Sequence, residues 1–228
     1  MKYLAFFSVL LLPVSGETLH YVVNWPSGLS LGEATLDSSH VMFQSGPNAH
    51  AESWNFGFDL DASVPGFSIR DHYTSQASDP QICSSKLVKT TQRGSRKTEE
   101  TDTFDQEAGK VTRETKAPGG KSDYSVSACA RDAMAYLQFV RNELASGRLA
   151  PQQAVVLGGS YNVRIEFSGT ETVKNNGKPV QADRVQATVK GRSSDFTVQI
   201  LFAKDAARTP LLVRIPLSLG TFTAELTH

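Results

Sequence analysis

The residues best able to bind a metal or move a proton near neutral pH are five histidines: His20, His40, His50, His72 and His228. None stands in an HExxH or other helical metal spacing, although strands can bring distant ligands together. Asp59 and Asp61 form a DxD pair, but the glycine and distal glutamate of a calcium loop do not follow, so they read as solvated or turn-directing carboxylates. Gly158-Gly159-Ser160-Tyr161-Asn162 begins like a GxSxG nucleophile elbow. Asn162 stands in place of the last glycine, and strand alternation follows where the elbow needs a helix. Gly120-Lys121-Ser122 resembles the end of a phosphate-binding loop, but Thr115 occupies the place of its first glycine. The composition thus offers no catalytic, metal or cofactor motif in its proper context.

Two carboxylates stand out as candidate buried polar sites. In Phe67-Ser68-Ile69-Arg70-Asp71-His72-Tyr73, Asp71 falls on the same strand face as Phe67, Ile69 and Tyr73. A carboxylate there must find donors or shift its pKa upward. It is either a site residue, with His72 as a neighbouring base, or a carboxylate satisfied at a bulge, an edge or by backbone N–H groups. Asp132 precedes an apolar helical pattern and reads as a capping carboxylate rather than a catalytic one.

The elements that must position these residues are mostly strands. Alternation runs through Leu19, Tyr21, Val23 and Trp25, then Trp54, Phe56, Phe58 and Leu60. It returns in Tyr161, Val163, Ile165 and Phe167, in Phe196, Val198, Ile200 and Phe202, and in Phe222, Ala224 and Leu226. A period of two means one buried and one wet face, the antiparallel habit. Asn175-Asn176-Gly177, Asp37-Ser38-Ser39, Pro65-Gly66 and Pro118-Gly119-Gly120 read as turns. Between Lys86 and Glu107, basic residues precede acidic ones, as expected of a hairpin turning near Arg93-Gly94-Ser95-Arg96 with opposite charges across its ladder; a basic patch for anionic headgroups is the other reading.

One segment has helical period. Residues 131–146 place Ala133, Tyr136, Leu137, Val140 and Leu144 on one face, flanked by Met134 and Phe139, and Gly147 and Pro151 end it. So wide an apolar stripe suits a helix lying against a curved sheet. The expected fold is a strongly curved antiparallel sheet, half-open or closed like a barrel, with this one helix at its centre; a β-sandwich with the same helix is the alternative.

Met1–Gly16 (MKYLAFFSVLLLPVSG) has the charge, apolar run and small residues of a cleaved signal peptide, with cleavage expected after Gly16. Its apolar run is too short to cross a membrane. The mature chain, 17–228, is expected to be one exported, periplasmic or secreted domain without a transmembrane segment. In an oxidising compartment its two cysteines, Cys83 and Cys129, most simply form one disulfide. The 228 residues carry 23 basic and 23 acidic side chains, and that balance argues against nucleic-acid binding. At 39% hydrophobic content with 12 Phe, the chain has enough apolar material for a core.

Three stretches together resemble a known family. The first comprises Leu19-His20-Tyr21 through Trp25, Leu31-Gly32-Glu33-Ala34-Thr35-Leu36, and Asp71-His72-Tyr73-Thr74-Ser75. The second is Cys129-Ala130-Arg131-Asp132 leading to Tyr136-Leu137-Gln138-Phe139-Val140-Arg141. Asp205-Ala206-Ala207-Arg208-Thr209-Pro210-Leu211, Leu219-Gly220-Thr221 and Ala224-Glu225-Leu226 form the third. Over nearly all of the mature chain they resemble the exported bacterial family called domain of unknown function 3108. Leu201-Phe202-Ala203 departs from it, where members often carry a tryptophan and a hydroxyl residue. The resemblance implies an antiparallel barrel-like protein of the bacterial envelope and no particular reaction.

The resulting expectation is a noncatalytic envelope protein with a groove for a hydrophobic ligand between sheet and helix. Trp25, Trp54, Phe56, Phe58, Met134, Tyr136 and Phe139 are the candidate lining residues, unless they simply fill the core. The alternative is an assembly protein that binds another envelope component through a strand edge or the Lys86–Glu107 hairpin. A hydrolase with its site near Asp71 is the remaining reading.

Overall fold

The computed structural model describes residues 15–44, 50–64, 66–116, 119–192, 195–218 and 220–227. Most of the expected signal peptide, residues 1–14, lies outside them, as do Pro65, Pro118 and His228. Four strands come first: β1 (Ser15–Asn24), β2 (Ser30–Gln44), β3 (His50–Val64) and β4 (Phe67–Ser78). β5 (Cys83–Arg93), β6 (Arg96–Asp105), β7 (Lys110–Lys116) and β8 (Gly120–Ser125) continue the meander. Next come β9 (Arg131–Asp132), α1 (Ala133–Ala145) and β10 (Gln153–Val156). The chain ends with β11 (Ser160–Asn175), β12 (Lys178–Lys190), β13 (Asp195–Ala203), β14 (Pro210–Leu217) and β15 (Gly220–Leu226).

All fifteen strands of the described residues join one sheet, ordered β8-β7-β6-β5-β4-β3-β2-β1-β15-β14-β13-β12-β11-β10-β9. The fold is therefore a single strongly curved sheet, and the sandwich alternative is excluded. The first and last strands pair antiparallel, Tyr21 opposite Leu226 and Val23 opposite Ala224, in the middle of the sheet. Every pairing among the described residues is antiparallel except β9 with β10, which are joined by α1 as a parallel pair requires. Irregular register at Gln76/Ala77, Phe167/Thr170 and Leu201/Phe202 adds local twist and bend. At Gly32 a side chain would begin 2.0 Å from the Asp61 carbonyl, so β2 and β3 approach too closely there for any residue but glycine.

Curling brings β9 back against β5. The Ser84 N–H donates to the Ala130 carbonyl at 3.0 Å. Gln106 braces the same junction, donating from Nε2 to the Ser84 and Ala130 carbonyls and accepting from the Ala130 N–H at 2.9 Å. The Cys83–Cys129 disulfide lies beside these contacts and bridges residues 46 apart. Barrel-like closure thus rests on a short polar seam and one covalent bond rather than on a continuous ladder.

The helix occupies the interior. Met134 and Ala135 pack against Phe56, Ala77, Leu87, Phe104 and Val111 on one side. Tyr136, Val140 and Leu144 pack against Val163, Ile165, Val185 and Phe202 on the other. A stripe wide enough to touch two walls is what the sequence pattern carries. Observed bounds fall inside the expected 131–146: Asp132 is the N-cap and Ser146 the C-cap. Gly147, at φ 72°, follows, with Gly147 N–H donating to Leu144 O and Arg148 N–H to Glu143 O.

The hairpins with Asn176 and Gly177, and with Gly94, fall where the sequence places them. The expected turn at Asp37-Ser38-Ser39 is instead the middle of β2, paired on both edges. Polar composition suggests a turn there, but these residues complete two ladders, and Asp37 accepts from the Thr18 hydroxyl at 2.5 Å. Ser15 and Gly16 extend β1 opposite His40 and Ser39; from Glu17 onward, the register continues opposite Ser38.

Candidate functional site

The central pair β1–β15 and its neighbours do not close onto the helix. Between them and the first turn of α1 lies a cavity of about 360 Å³. Tyr21, Val23, Ala34, Leu36 and Leu60 form one wall, and Ile200, Val213, Ile215, Phe222 and Ala224 form the other. Ala133, Met134 and Leu137 are its helical side, and Leu157 lies at the margin, 37% exposed. The volume falls within the range of sites for small organic ligands, and the walls are almost wholly carbon. Alternation accounts for this lining: the inward residues that seven strands, β1–β4 and β13–β15, turn to the space are aliphatic or aromatic, and small Ala34 and Ala224 leave room.

Of the expected lining residues, Phe58 and Met134 border this space. Trp54 and Phe56 stack 5.8 Å apart within the core between helix and β3–β7. Tyr136 belongs to the opposite core, where burial pushes its hydroxyl pKa up to about 12 and keeps it neutral. Phe139 lies beneath the Arg131 guanidinium, 3.9 Å from its ring centroid, and packs against both cores. Trp25 sits past the end of β1, edge-on to Phe222 at 4.9 Å. These five fill or cap packed regions beside the cavity. Aromatic residues are prominent in sequence, but the open space occurs where the faces of β1–β4 and β13–β15 meet around small Ala34 and Ala224.

Asp132 borders the cavity and is fully buried. It accepts from Ser75 Oγ at 2.5 Å, Ser84 Oγ at 2.6 Å, and the Met134 and Ala135 N–H groups at 2.9 and 3.2 Å. Its own N–H donates to Ser84 Oγ at 2.8 Å. Burial pushes the carboxyl pKa upward, and the four donors oppose that shift without cancelling it. Asp132 therefore caps the helix and ties it to β4 and β5. Nothing in the sequence singled out Ser75 and Ser84 as its partners.

Asp71 is buried too, but it is paired. Arg93 on β5 grips it with two nitrogens, one of them 2.8 Å from Oδ2, and Tyr73 Oη donates to the same oxygen at 3.2 Å. Burial, reinforced by the Asp71 charge, pushes the Tyr73 pKa up to about 12. The donors are side chains rather than a bulge or backbone N–H groups. His72 faces the other way, exposed, with Nδ1 2.6 Å from Asp59 Oδ1. Asp71 and His72 therefore do not form an acid–base pair, and Asp71 and Asp132 belong to separate networks. The DxD carboxylates are occupied on the outer face, Asp59 by His72 and Asp61 by Arg70 at 3.1 Å.

The helix also carries a buried cation that its apolar pattern conceals. Arg141 donates to the Ala207 carbonyl at 2.9 Å and pairs with Glu17 at 2.7 Å, anchoring α1 to the start of β1. Across the charged hairpin, Lys89 pairs with Glu100 at 2.5 Å, the opposite-charge ladder expected there.

Among the described residues, one grouping could hold a cation. His40 Nε2 lies 3.6 Å from Glu52 Oε2 and 3.4 Å from Asp79 Oδ1, and Trp54 Nε1 donates to that Asp79 oxygen at 2.9 Å. All three side chains are partly solvated. Two strands and a loop assemble it, so no local spacing announces it.

In comparisons with known proteins, a search of curated proteins gave no match. A solved structure, the crystal structure of a beta-barrel-like protein of domain of unknown function DUF1849 from Brucella abortus, superposes with a TM-score of 0.57 at 10% identity. The match covers 96% of this chain and 97% of that one. At that identity the likeness is one of fold: a large curved sheet with barrel-like character. The family model described as "Protein of unknown function (DUF3108)" matches residues 19–227, nearly the whole chain, and the protein belongs to that family.

Proposed function

We propose that this protein is an exported, noncatalytic carrier or sensor that holds a hydrophobic ligand, such as an acyl chain, between its helix and its sheet. The observation that carries this reading is the roughly 360 Å³ carbon-walled cavity beside α1. Water gains little from so apolar a space, whereas a hydrocarbon chain exchanges hydrated surface for close contact. The ion-paired state of Asp71 and the outward direction of His72 support a noncatalytic reading. The disulfide and the signal-like Met1–Gly16 support export to an oxidising compartment. Among the described residues no helix is long and apolar enough to cross a membrane.

Titration with a fluorescent fatty acid, beside mass spectrometry of lipids co-purifying with the native protein, tests the reading. Leu137→Trp and Ala224→Phe, which fill the cavity from opposite walls, should abolish saturable binding while leaving the circular dichroism spectrum unchanged. Absence of saturable binding by the wild type, or equal binding by both variants, rejects it. Intact-mass analysis of exported protein should begin at Glu17.

A second reading has its own observation. β8 is an end strand of the sheet and all but one of its residues are exposed, so its free edge could pair with another envelope protein. Crosslinking from Ser122 in intact cells would capture such a partner.

A further inference from the structure

Antiparallel order assigns every connection to one end of the sheet or the other. β1–β2, β3–β4, β5–β6, β7–β8, β10–β11, β12–β13 and β14–β15 turn at the same end. Six of the eight large apolar side chains that stand exposed in the described residues lie at that end: Leu29, Val64, Phe67, Leu157, Phe196 and Leu217. Three of them are prominently exposed, Leu29 at 68%, Leu217 at 53% and Phe67 at 46%. The β1–β2 and β14–β15 tips are held close to one another. Gly220, at φ 123°, lies so near Pro26 that a side chain there would begin 2.6 Å from its ring.

At this end the turns themselves carry a basic excess, while Lys97 shares its cross-strand row with Arg70, Asp61 and Glu33. Arg96, Lys97, Lys190 and Arg192 are exposed, and none of them enters an ion pair among the described residues. Asp195 is the one acidic residue within the described parts of these turns and their flanking positions 93–97, 190–196 and 217–221. At the opposite end, Asp79, Asp105, Glu107 and Asp205 mix with Lys174 and Lys178. The apolar cavity approaches the basic end, because Val23, Leu60, Ile215 and Phe222 lie near the tips of their strands and Leu157 is both lining and exposed.

We propose that this rim is a membrane-docking surface, which inserts its exposed apolar tips into an anionic phospholipid bilayer while the basic side chains meet the headgroups. The proposal rests on the carrier reading for its purpose, since it places the cavity's mouth where hydrophobic cargo enters or leaves. Scattered apolar side chains on a surface need no explanation, but Leu29, Val64, Phe67 and Leu217 stand on three adjacent hairpins, and with the unpaired cations of the turns they match the two attractions of an interfacial anchor. A protein partner with an acidic, apolar patch would be sought by the same features; charge complementarity to a continuous anionic surface and the position of the cavity favour the bilayer.

Flotation with phosphatidylglycerol-containing vesicles, against pure phosphatidylcholine vesicles, tests it. The protein should float with the former, and salt should weaken the association. Leu29→Ser/Phe67→Ser/Leu217→Ser should lower partitioning at least about tenfold, and Arg96→Glu/Lys97→Glu by about tenfold. Lys174→Glu/Lys178→Glu, the same charge change at the far end, should leave partitioning within about twofold of wild type. Vesicle-free fatty-acid titration of each variant should match wild type, which separates this surface from the cavity. Failure of the wild type to float, equal losses from both charge reversals, or a triple variant that floats like wild type overturns the proposal. Vesicle binding that persists without any fatty-acid binding would support the docking surface and remove the carrier reading alone.

Discussion

Asp132 and Asp71 are both buried aspartates, yet replacing them with alanine should cost different amounts. Asp132→Ala removes the helix cap, about 1 kcal/mol. It also strips the acceptor from Ser75 and Ser84, which are 2% and 0% exposed, and a buried hydroxyl without a partner costs roughly 1–3 kcal/mol. Ser84 Oγ still receives the residue 132 N–H, so its loss falls toward the lower end. The sum is about 3–5 kcal/mol. Asp71→Ala leaves Arg93 behind, but that side chain is already 40% exposed and can turn to water. Its cost should be about 1–2 kcal/mol. Urea unfolding at neutral pH, followed by tryptophan fluorescence, reads both. With a slope of about 2.5 kcal/mol per molar, Asp132→Ala should lower the midpoint by roughly 1.5 M and Asp71→Ala by well under 1 M. If Asp71→Ala is the more damaging, or Asp132→Ala shifts the midpoint by less than about 0.4 M, the partners are not satisfied as described.

Cys83→Ser should lower stability by roughly 2–5 kcal/mol, and native protein should show no titratable thiol before reduction; a reactive thiol in oxidised native protein contradicts both. Phe139→Ala should cost about 3 kcal/mol in urea yet leave fatty-acid affinity unchanged, because the ring packs under Arg131 rather than lining the cavity. Met134→Ala enlarges the cavity itself and should alter affinity; the opposite pattern in paired titrations would reassign the two residues. Asp132 also sets a pH dependence. Its folded pKa is raised, so the folded chain retains the proton over a range where the unfolded chain has lost it, and that contribution is present at low pH and lost as pH rises through the folded pKa. The stability difference, wild type minus Asp132→Asn, should therefore be larger near pH 4 than near pH 7 in urea titrations, and an increase with pH would reject the raised pKa.

Much of this architecture is written locally. Period-two alternation in segments such as Leu19–Val23 and Trp54–Leu60 depends only on each residue's distaste for water, so strand faces are legible from short stretches. The same holds for α1: Asp132, the apolar stripe and Gly147 define its start, face and end within one segment. The cysteine pair was legible by elimination once export was inferred, since no other thiol competes. Asp71 was legible as a buried carboxylate, because a charge on an apolar face breaks the alternation around it.

What the tertiary structure alone decided are the meetings of distant segments. That β1 lies beside β15 follows from closure of the whole meander, and the cavity exists because small Ala34 and Ala224, on the strands flanking β1, face the first turn of α1. Aromatic bulk marks core from the sequence, whereas a void is an absence of atoms and is created only when several walls fail to meet. Arg93 finding Asp71, Ser75 and Ser84 finding Asp132, and Glu17 finding Arg141 each join positions separated by at least 22 residues. Such partners are chosen by register and curvature, since neither residue's own neighbourhood carries information about which strand will pass beside it.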